Sequence, residues 1–164
     1  MPVVLFSLSV VAMLVLTQMW LTNPPDKGAY APEFRLEGID GQETVLSDLR
    51  GAPVVVSFVS IDCQACRGAY LENISRLNID LASRYTPVTV VEGADNAQGT
   101  LQAYRTATNG TWLYLRGTSA VNQSYKLSIL PTTVVISADG IIVARHEGAV
   151  SFEVLKADVL EALA

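Results

Sequence analysis

Only two of the 164 residues are cysteine and only one is histidine. Beyond Cys63 and Cys66 the chain offers a zinc ion nothing but His146 and carboxylates, a poor set for a metal that prefers four Cys or His ligands. Basic side chains are also scarce, 11 against 16 acidic ones, for a net charge of -5. With no run of Lys or Arg to meet phosphates, nucleic acid is excluded as a natural partner. Internal repeats, low-complexity tracts and charge blocks are absent, which excludes solenoids and extended tails. The sharpest local absence is at the amino terminus: residues 1–22, MPVVLFSLSVVAMLVLTQMWLT, hold no charged side chain, and the first in the chain is Asp26.

At 1.5 Å per residue, such a stretch is about as long as a helix needs to cross the hydrocarbon core of a bilayer. Trp20 would then sit at the interface. The run exceeds the usual apolar region of a signal peptide, and its one small-x-small site, Ala29-Tyr30-Ala31, is followed by Pro32, so an anchor is favoured over a cleaved leader. A buried core helix would carry polar residues on some face. The expected organisation is a transmembrane anchor over 1–22, a Pro- and Gly-rich tether over 23–33, NPPDKGAYAPE, and one domain over 34–164. The positive residues that usually set orientation are missing before the apolar stretch, where only the amino terminus carries charge. An exported domain would place its cysteines where disulfides persist.

Within the domain, two short apolar pieces around Ile39–Gln42 suggest a small hairpin, followed by a helical turn at Ser47-Asp48-Leu49. VVVSFVS, residues 54–60, is the near-continuous β-branched run of a strand buried on both faces. Tyr70, Leu71, Ile74, Leu77 and Leu81 are spaced by threes and fours, as on an amphipathic helix. A second strand follows Pro87, and residues 100–107 and 118–126 show weaker helical spacing around the strand TWLYLRG. Residues 132–148 read as two strands joined at Asp139-Gly140, before a last helix capped by Ser151. The expected fold class is α/β, a central mixed sheet flanked by helices with an extra hairpin in front.

Residues 57–70, SFVSIDCQACRGAY, contain both cysteines. This pattern places Cys63 just past the end of the central strand and at the N-terminus of the next helix, where α/β sheets put their sites and where the helix dipole favours a thiolate. Cys66, one turn on, is close enough for a disulfide that opens and closes with little rearrangement. A structural staple across so short a loop would remove little entropy from the unfolded chain. An inert reduced pair is the bland alternative, and the strand–Cys-x-x-Cys–helix context favours redox exchange over it.

These residues resemble the membrane-anchored, extracytoplasmic thiol-disulfide oxidoreductases of the TlpA/ResA type, which have the thioredoxin fold. The resemblance rests on the A-P-x-F start at 31–34, L-S-D-L-R-G at 46–51, Cys-x-x-Cys-Arg at 63–67 and P-T-T at 131–133 ahead of the Asp-Gly hairpin. It implies that Cys63 is the nucleophile and Cys66 the resolving thiol. Pro131 would be the family's cis-proline, and the Leu130 backbone would pair with the substrate chain. It further implies protein disulfides as substrates, such as apocytochromes or copper-centre proteins, and an electron donor in the membrane. No cofactor and no metal are expected. Asp62 stands where the family usually has Trp, Gln64-Ala65 replaces a dipeptide that usually contains Pro, and Ala69 occupies a position where many members carry Glu. Asp62 should raise the nucleophile's pKa and Arg67 should lower it. Known thioredoxin-like couples span about -270 to about -120 mV, roughly 7 kcal/mol for two electrons, so fold does not fix direction. The resemblance leans towards a reductant.

Glu92, at the end of the second strand, is a candidate proton acceptor for Cys66, against the plainer reading of a solvated strand terminus. Ser57 stands where cytoplasmic thioredoxins carry a buried acid. Trp112 reads as core and His146 as a surface residue. Two other functions compete. A copper-delivering thioredoxin-fold chaperone would usually space its cysteines by three residues and add a distant histidine. A peroxiredoxin-type peroxidase usually has Thr three positions before its nucleophile, and Cys63 takes that place relative to Cys66.

Overall fold

The computed structural model describes Met13, residues 23–93 and residues 98–164. Apart from Met13 the expected anchor over 1–22 lies outside them, and among the described residues no helix is long and apolar enough to cross a membrane.

The front hairpin is a two-stranded antiparallel sheet of β1 (Arg35–Glu37) and β2 (Glu43–Val45). Gly41, at φ +77°, supplies the left-handed residue its turn requires. A 3-10 turn over Leu46–Leu49 leads to β3 (Val54–Ser60). Then come α1 (Ala69–Asp80), β4 (Thr86–Glu92), α2 (Gln98–Thr108), β5 (Leu113–Arg116) and α3 (Ser119–Ser124). The chain closes with β6 (Thr132–Ile136), β7 (Ile142–Glu147) and α4 (Phe152–Ala162).

The main sheet runs in the order β5-β4-β3-β6-β7. β3 is parallel to β4 and β4 to β5, whereas β6 is antiparallel to both β3 and β7. The arrangement is a thioredoxin-like α/β fold, with its helices divided between the two faces of a mixed sheet. On one face Val55, Val59, Val91 and Val135 pack against Tyr70, Ile74 and Leu77 of α1, Leu101 and Tyr104 of α2, and Leu155 and Val159 of α4. On the other, Val54, Val56, Phe58, Val88, Val90 and Val134 meet Phe34, Leu36 and Leu46 of the front segment and Val121 and Tyr125 beside α3. β3 lies between these layers, and its first six residues are all buried. Its almost unbroken apolar sequence follows from having two faces to hide.

The segment read as a free tether is partly docked. Gly28 N–H donates to the Ile142 carbonyl (2.9 Å), Ile142 N–H to the Ala29 carbonyl (2.8 Å) and Ala31 N–H to the Gly140 carbonyl (2.9 Å). Its prolines, Pro24, Pro25 and Pro32, flank this stretch instead of occupying it, so its N–H groups are available to the open edge of β7.

Candidate active site

Cys63 leaves the end of β3 through a turn in which its N–H donates to the Ser60 carbonyl (3.2 Å). Residues Gln64–Cys66 form a 3-10 turn, and Cys63 and Cys66 are joined in a disulfide with Cα atoms 5.2 Å apart. The Cys66 N–H donates to both the Cys63 carbonyl and Cys63 Sγ, each at 3.1 Å. Cys63 is partly exposed, whereas Cys66 is fully buried.

One expectation is corrected here: Cys63 does not start the long helix. Arg67 is extended (φ -117°, ψ -178°), Gly68 takes φ +58° and ψ -126°, and α1 begins only at Ala69. Its hydrogen-bond ladder opens with Glu72 N–H on the Gly68 carbonyl (3.0 Å). A backbone conformation that only glycine adopts readily breaks the helix between the cysteines and α1. Cys63 is therefore not part of the first turn of α1. The local donor to the sulfur is the Cys66 amide, which would stabilise a Cys63 thiolate as a hydrogen-bonded anion.

The Leu130–Pro131 peptide is cis. β6 pairs with β3 so that Thr132 faces Phe58, which brings the residues before Thr132 up beside the cysteine turn. The Leu130 carbonyl oxygen lies 3.5 Å from Cys63 Sγ. Thr132 Oγ1 donates to the Ile129 carbonyl (2.6 Å) and fixes the loop from behind.

The two residues expected to act on the nucleophile by charge are both exposed. The Asp62 N–H sits 3.4 Å from Ser60 Oγ, and the Arg67 guanidinium folds back onto the Ile61 carbonyl, tying the ends of the cysteine loop together. Ser57 is buried opposite Thr133 in the β3–β6 register. The Tyr70 hydroxyl bonds Thr133 Oγ1 at 2.8 Å. Burial pushes the Tyr70 phenol up, and hydrogen bonds to Ser57 and Thr133 pull against that rise. The hydroxyls of Ser57, Tyr70 and Thr133 thus lie together.

Glu92 is not the solvated strand terminus of the plainer reading. It is only 7% exposed, and its Oε1 has no hydrogen-bond partner among the described residues. Burial pushes its carboxyl up to about 7. It pairs with Ser60 across β3 and β4, and alternates onto the face of Val88 and Val90, opposite the face that holds Cys66. Gly117, just past β5, makes the room: a Cβ there would stand 2.5 Å from Glu92 Oε1. Trp112 is partly buried against the core with its Nε1 donating to Thr89 Oγ1 (2.8 Å). His146 Nε2 lies 2.6 Å from Asp158 Oδ2, a link between β7 and α4. Among the described residues no cluster of three His, Cys, Asp or Glu side chains is arranged to hold a metal.

Residues 28–145, a stretch that begins in the docked strap and ends in β7, match the model of the AhpC/TSA family. The chain belongs to the AhpC/TSA family. As a member with a Cys-x-x-Cys pair closed in a disulfide just past the central strand, it is a thioredoxin-like thiol-disulfide oxidoreductase. It is 25% identical over 123 residues to a thioredoxin-like protein, YneN, of Bacillus subtilis (strain 168), covering 74% of this chain and 72% of the relative. Its fold is similar to that of a thiol:disulfide interchange protein DsbE from Chlorobium tepidum, with TM-score 0.76 and 24% identity over 85% of this chain and 99% of that one. StoA from Bacillus subtilis shares the fold at TM-score 0.65 and 18% identity, over 77% and 96% of the two chains.

The site of this AhpC/TSA member holds one residue that sequence reasoning missed. Tyr104, on α2, donates its hydroxyl to the Cys66 carbonyl at 3.3 Å. A polar tip on an otherwise apolar helix stripe was the only signal available. Beside it, a hollow of about 340 Å³ opens between α1 and α2, lined by Ile61, Arg67, Leu71, Ala103 and Tyr104 among others.

Proposed function

We propose that the protein exchanges its Cys63–Cys66 dithiol with disulfides of partner proteins outside the cytoplasm, and that it works as a reductant. The observation that supports this most directly is the asymmetry of the pair: a partly exposed Cys63 beside the Leu130 carbonyl and a buried Cys66 bonded to it. In the forward direction the Cys63 thiolate attacks a partner disulfide, forming a mixed disulfide and releasing one partner thiolate. The Cys66 thiolate then attacks Cys63 Sγ and releases the second. Two electrons pass to the partner, and the protein closes its own disulfide. The Cys66 N–H holds Cys63 Sγ in the anionic state for the first step. Leu130, beside cis Pro131, offers its backbone to the partner's extended chain.

The name of the interchange protein from Chlorobium tepidum supports the reaction class, and the resemblance to TlpA/ResA-type proteins supports the direction. By that resemblance the partners are apocytochromes awaiting haem or copper-centre proteins of a respiratory oxidase. The uncharged residues 1–22 hold the domain to the membrane, where an electron donor resets it.

The test is a pair of variants in the full chain. Cys66→Ser retains partners as mixed disulfides on Cys63 and Cys63→Ser retains none. If neither variant traps a partner under stringent capture, the exchange reading fails. A peroxidase with Cys66 as its peroxide-reacting sulfur would need peroxide to reach a fully buried atom. Rapid peroxide consumption by the reduced protein would establish that reading instead.

A further inference from the structure

The break at Gly68 has a cost that another part of the chain meets. In a helix continuing from the cysteines, the Cys66 carbonyl would accept the amide four residues on. Because α1 starts at Ala69 and its ladder opens at the Gly68 carbonyl, the Cys66 carbonyl is left outside it. A buried carbonyl without a partner is destabilising. The Tyr104 hydroxyl, 38 residues away in sequence, is the group that reaches it.

Tyr104 is well held for this role. It is 6% exposed, and its ring meets Tyr114 edge-on at 6.2 Å, while Tyr114 stacks on Trp112 at 5.5 Å. The Tyr114 hydroxyl is bonded to Thr108 Oγ1 at 2.9 Å, which ties the same cluster back to α2. Burial pushes the Tyr104 phenol further up, so it remains a donor throughout the working pH range. With the Arg67 guanidinium on the Ile61 carbonyl, two side chains thus add to the backbone bonds of the cysteine turn, where α1 contributes none.

We propose that Tyr104 is a positioning residue for the resolving thiol, a hydroxyl clamp that keeps Cys66 within reach of Cys63 when no covalent bond joins them. In the disulfide state the sulfur–sulfur bond itself fixes the turn. In the dithiol state only non-covalent ties do, and they set the effective concentration of Cys66 at Cys63. Loosening the turn lowers that concentration and makes the disulfide harder to close. The inference rests on the exchange chemistry of the Cys63–Cys66 pair.

The test is the equilibrium of the full chain with graded glutathione buffers, in which two glutathione thiols open the disulfide and leave as glutathione disulfide. The readout is alkylation and mass spectrometry. Tyr104→Phe keeps the ring and removes the bond. The expected result is a three- to tenfold fall in the equilibrium constant for closing the disulfide, a rise in potential of at most about 30 mV at 29.6 mV per tenfold. Tyr114→Phe, which removes the neighbouring bond to Thr108 but leaves Cys66 untouched, is expected to keep the wild-type constant within twofold.

The proposal is overturned if Tyr104→Phe keeps the wild-type constant, or if Tyr114→Phe shifts it equally, because either result makes Tyr104 a packing residue only. A second measurement, the carbonyl carbon signal of Cys66 in isotopically labelled protein, should move in Tyr104→Phe and not in Tyr114→Phe. An unmoved signal refutes the hydrogen bond itself. Failure of the wild-type protein to form the disulfide in any buffer would instead sink the exchange reading on which the clamp depends.

Discussion

Replacing Glu92 by Gln should make the protein more stable at alkaline pH and leave it nearly unchanged in acid. The carboxyl is 7% exposed, and burial pushes it from an ordinary 4.5 to about 7. Below about pH 4.5 it is protonated whether the chain is folded or not, and the folded state carries no penalty. Between 4.5 and about 7 the unfolded chain has released this proton while the folded one keeps it, so stability falls as pH rises. Above 7 both states are ionised and the whole cost sits in the folded protein. At about 1.4 kcal/mol per pH decade, the gap amounts to about 3 kcal/mol. Gln has nearly the same shape against Gly117 and never ionises. Urea denaturation of the oxidised full chain at pH 4 and pH 8.5 should therefore show Glu92→Gln close to wild type at the lower pH and ahead by up to about 3 kcal/mol at the higher. A stability difference that stays constant across that range would refute the claim that this carboxyl is kept neutral by burial.

Other expectations concern the same edge of the sheet. Gly117→Ala should destabilise by about 1–3 kcal/mol, because the new Cβ would stand 2.5 Å from Glu92 Oε1, and most of that loss should return in the Gly117→Ala/Glu92→Ala double variant. Gly68→Ala meets no neighbouring atom within 4 Å but must adopt φ +58° with ψ -126°, so a cost of about 1–3 kcal/mol in chemical denaturation is expected from backbone conformation alone. Tyr70→Phe leaves buried Thr133 Oγ1 without this phenol and should cost about 1 kcal/mol, with non-additive behaviour when combined with Thr133→Val.

Sequence patterns were most informative where one residue's environment repeats along an element. The run at 54–60 announced a strand covered on both faces, the threes and fours from Tyr70 announced α1, and Asp139-Gly140 announced the β6–β7 turn, with Gly140 at φ +89°. What stayed hidden depends on contacts distant in sequence. Nothing near Glu92 reveals that Gly117, 25 positions on, leaves a space for it, and nothing near Cys66 reveals that its carbonyl is met from α2. Gly68 was visible as a glycine, but whether it continues or breaks a helix turns on φ and ψ, which spacing does not encode. The docking of 28–31 escaped notice because three prolines dominate that stretch while the pairing falls between them.

The strap has a consequence for reach. It meets the first residue of β7, Ile142, and Gly140 in the turn before it, at the same end of the sheet as Val54 and Ile136, whereas the disulfide lies beyond Ser60 at the other end. Only residues 23–27 remain between the strap and the uncharged amino-terminal stretch, a leash of at most about 17 Å even when fully extended. With residue 22 held at a bilayer, the domain would sit close to the surface on its strap-bearing pole. The cysteines would face away, across the roughly 23 Å length of β3's seven residues. Proteins arriving from the aqueous side would meet Cys63 directly. A donor embedded in the membrane would have to project a comparable distance, or use a soluble arm, to return electrons to it.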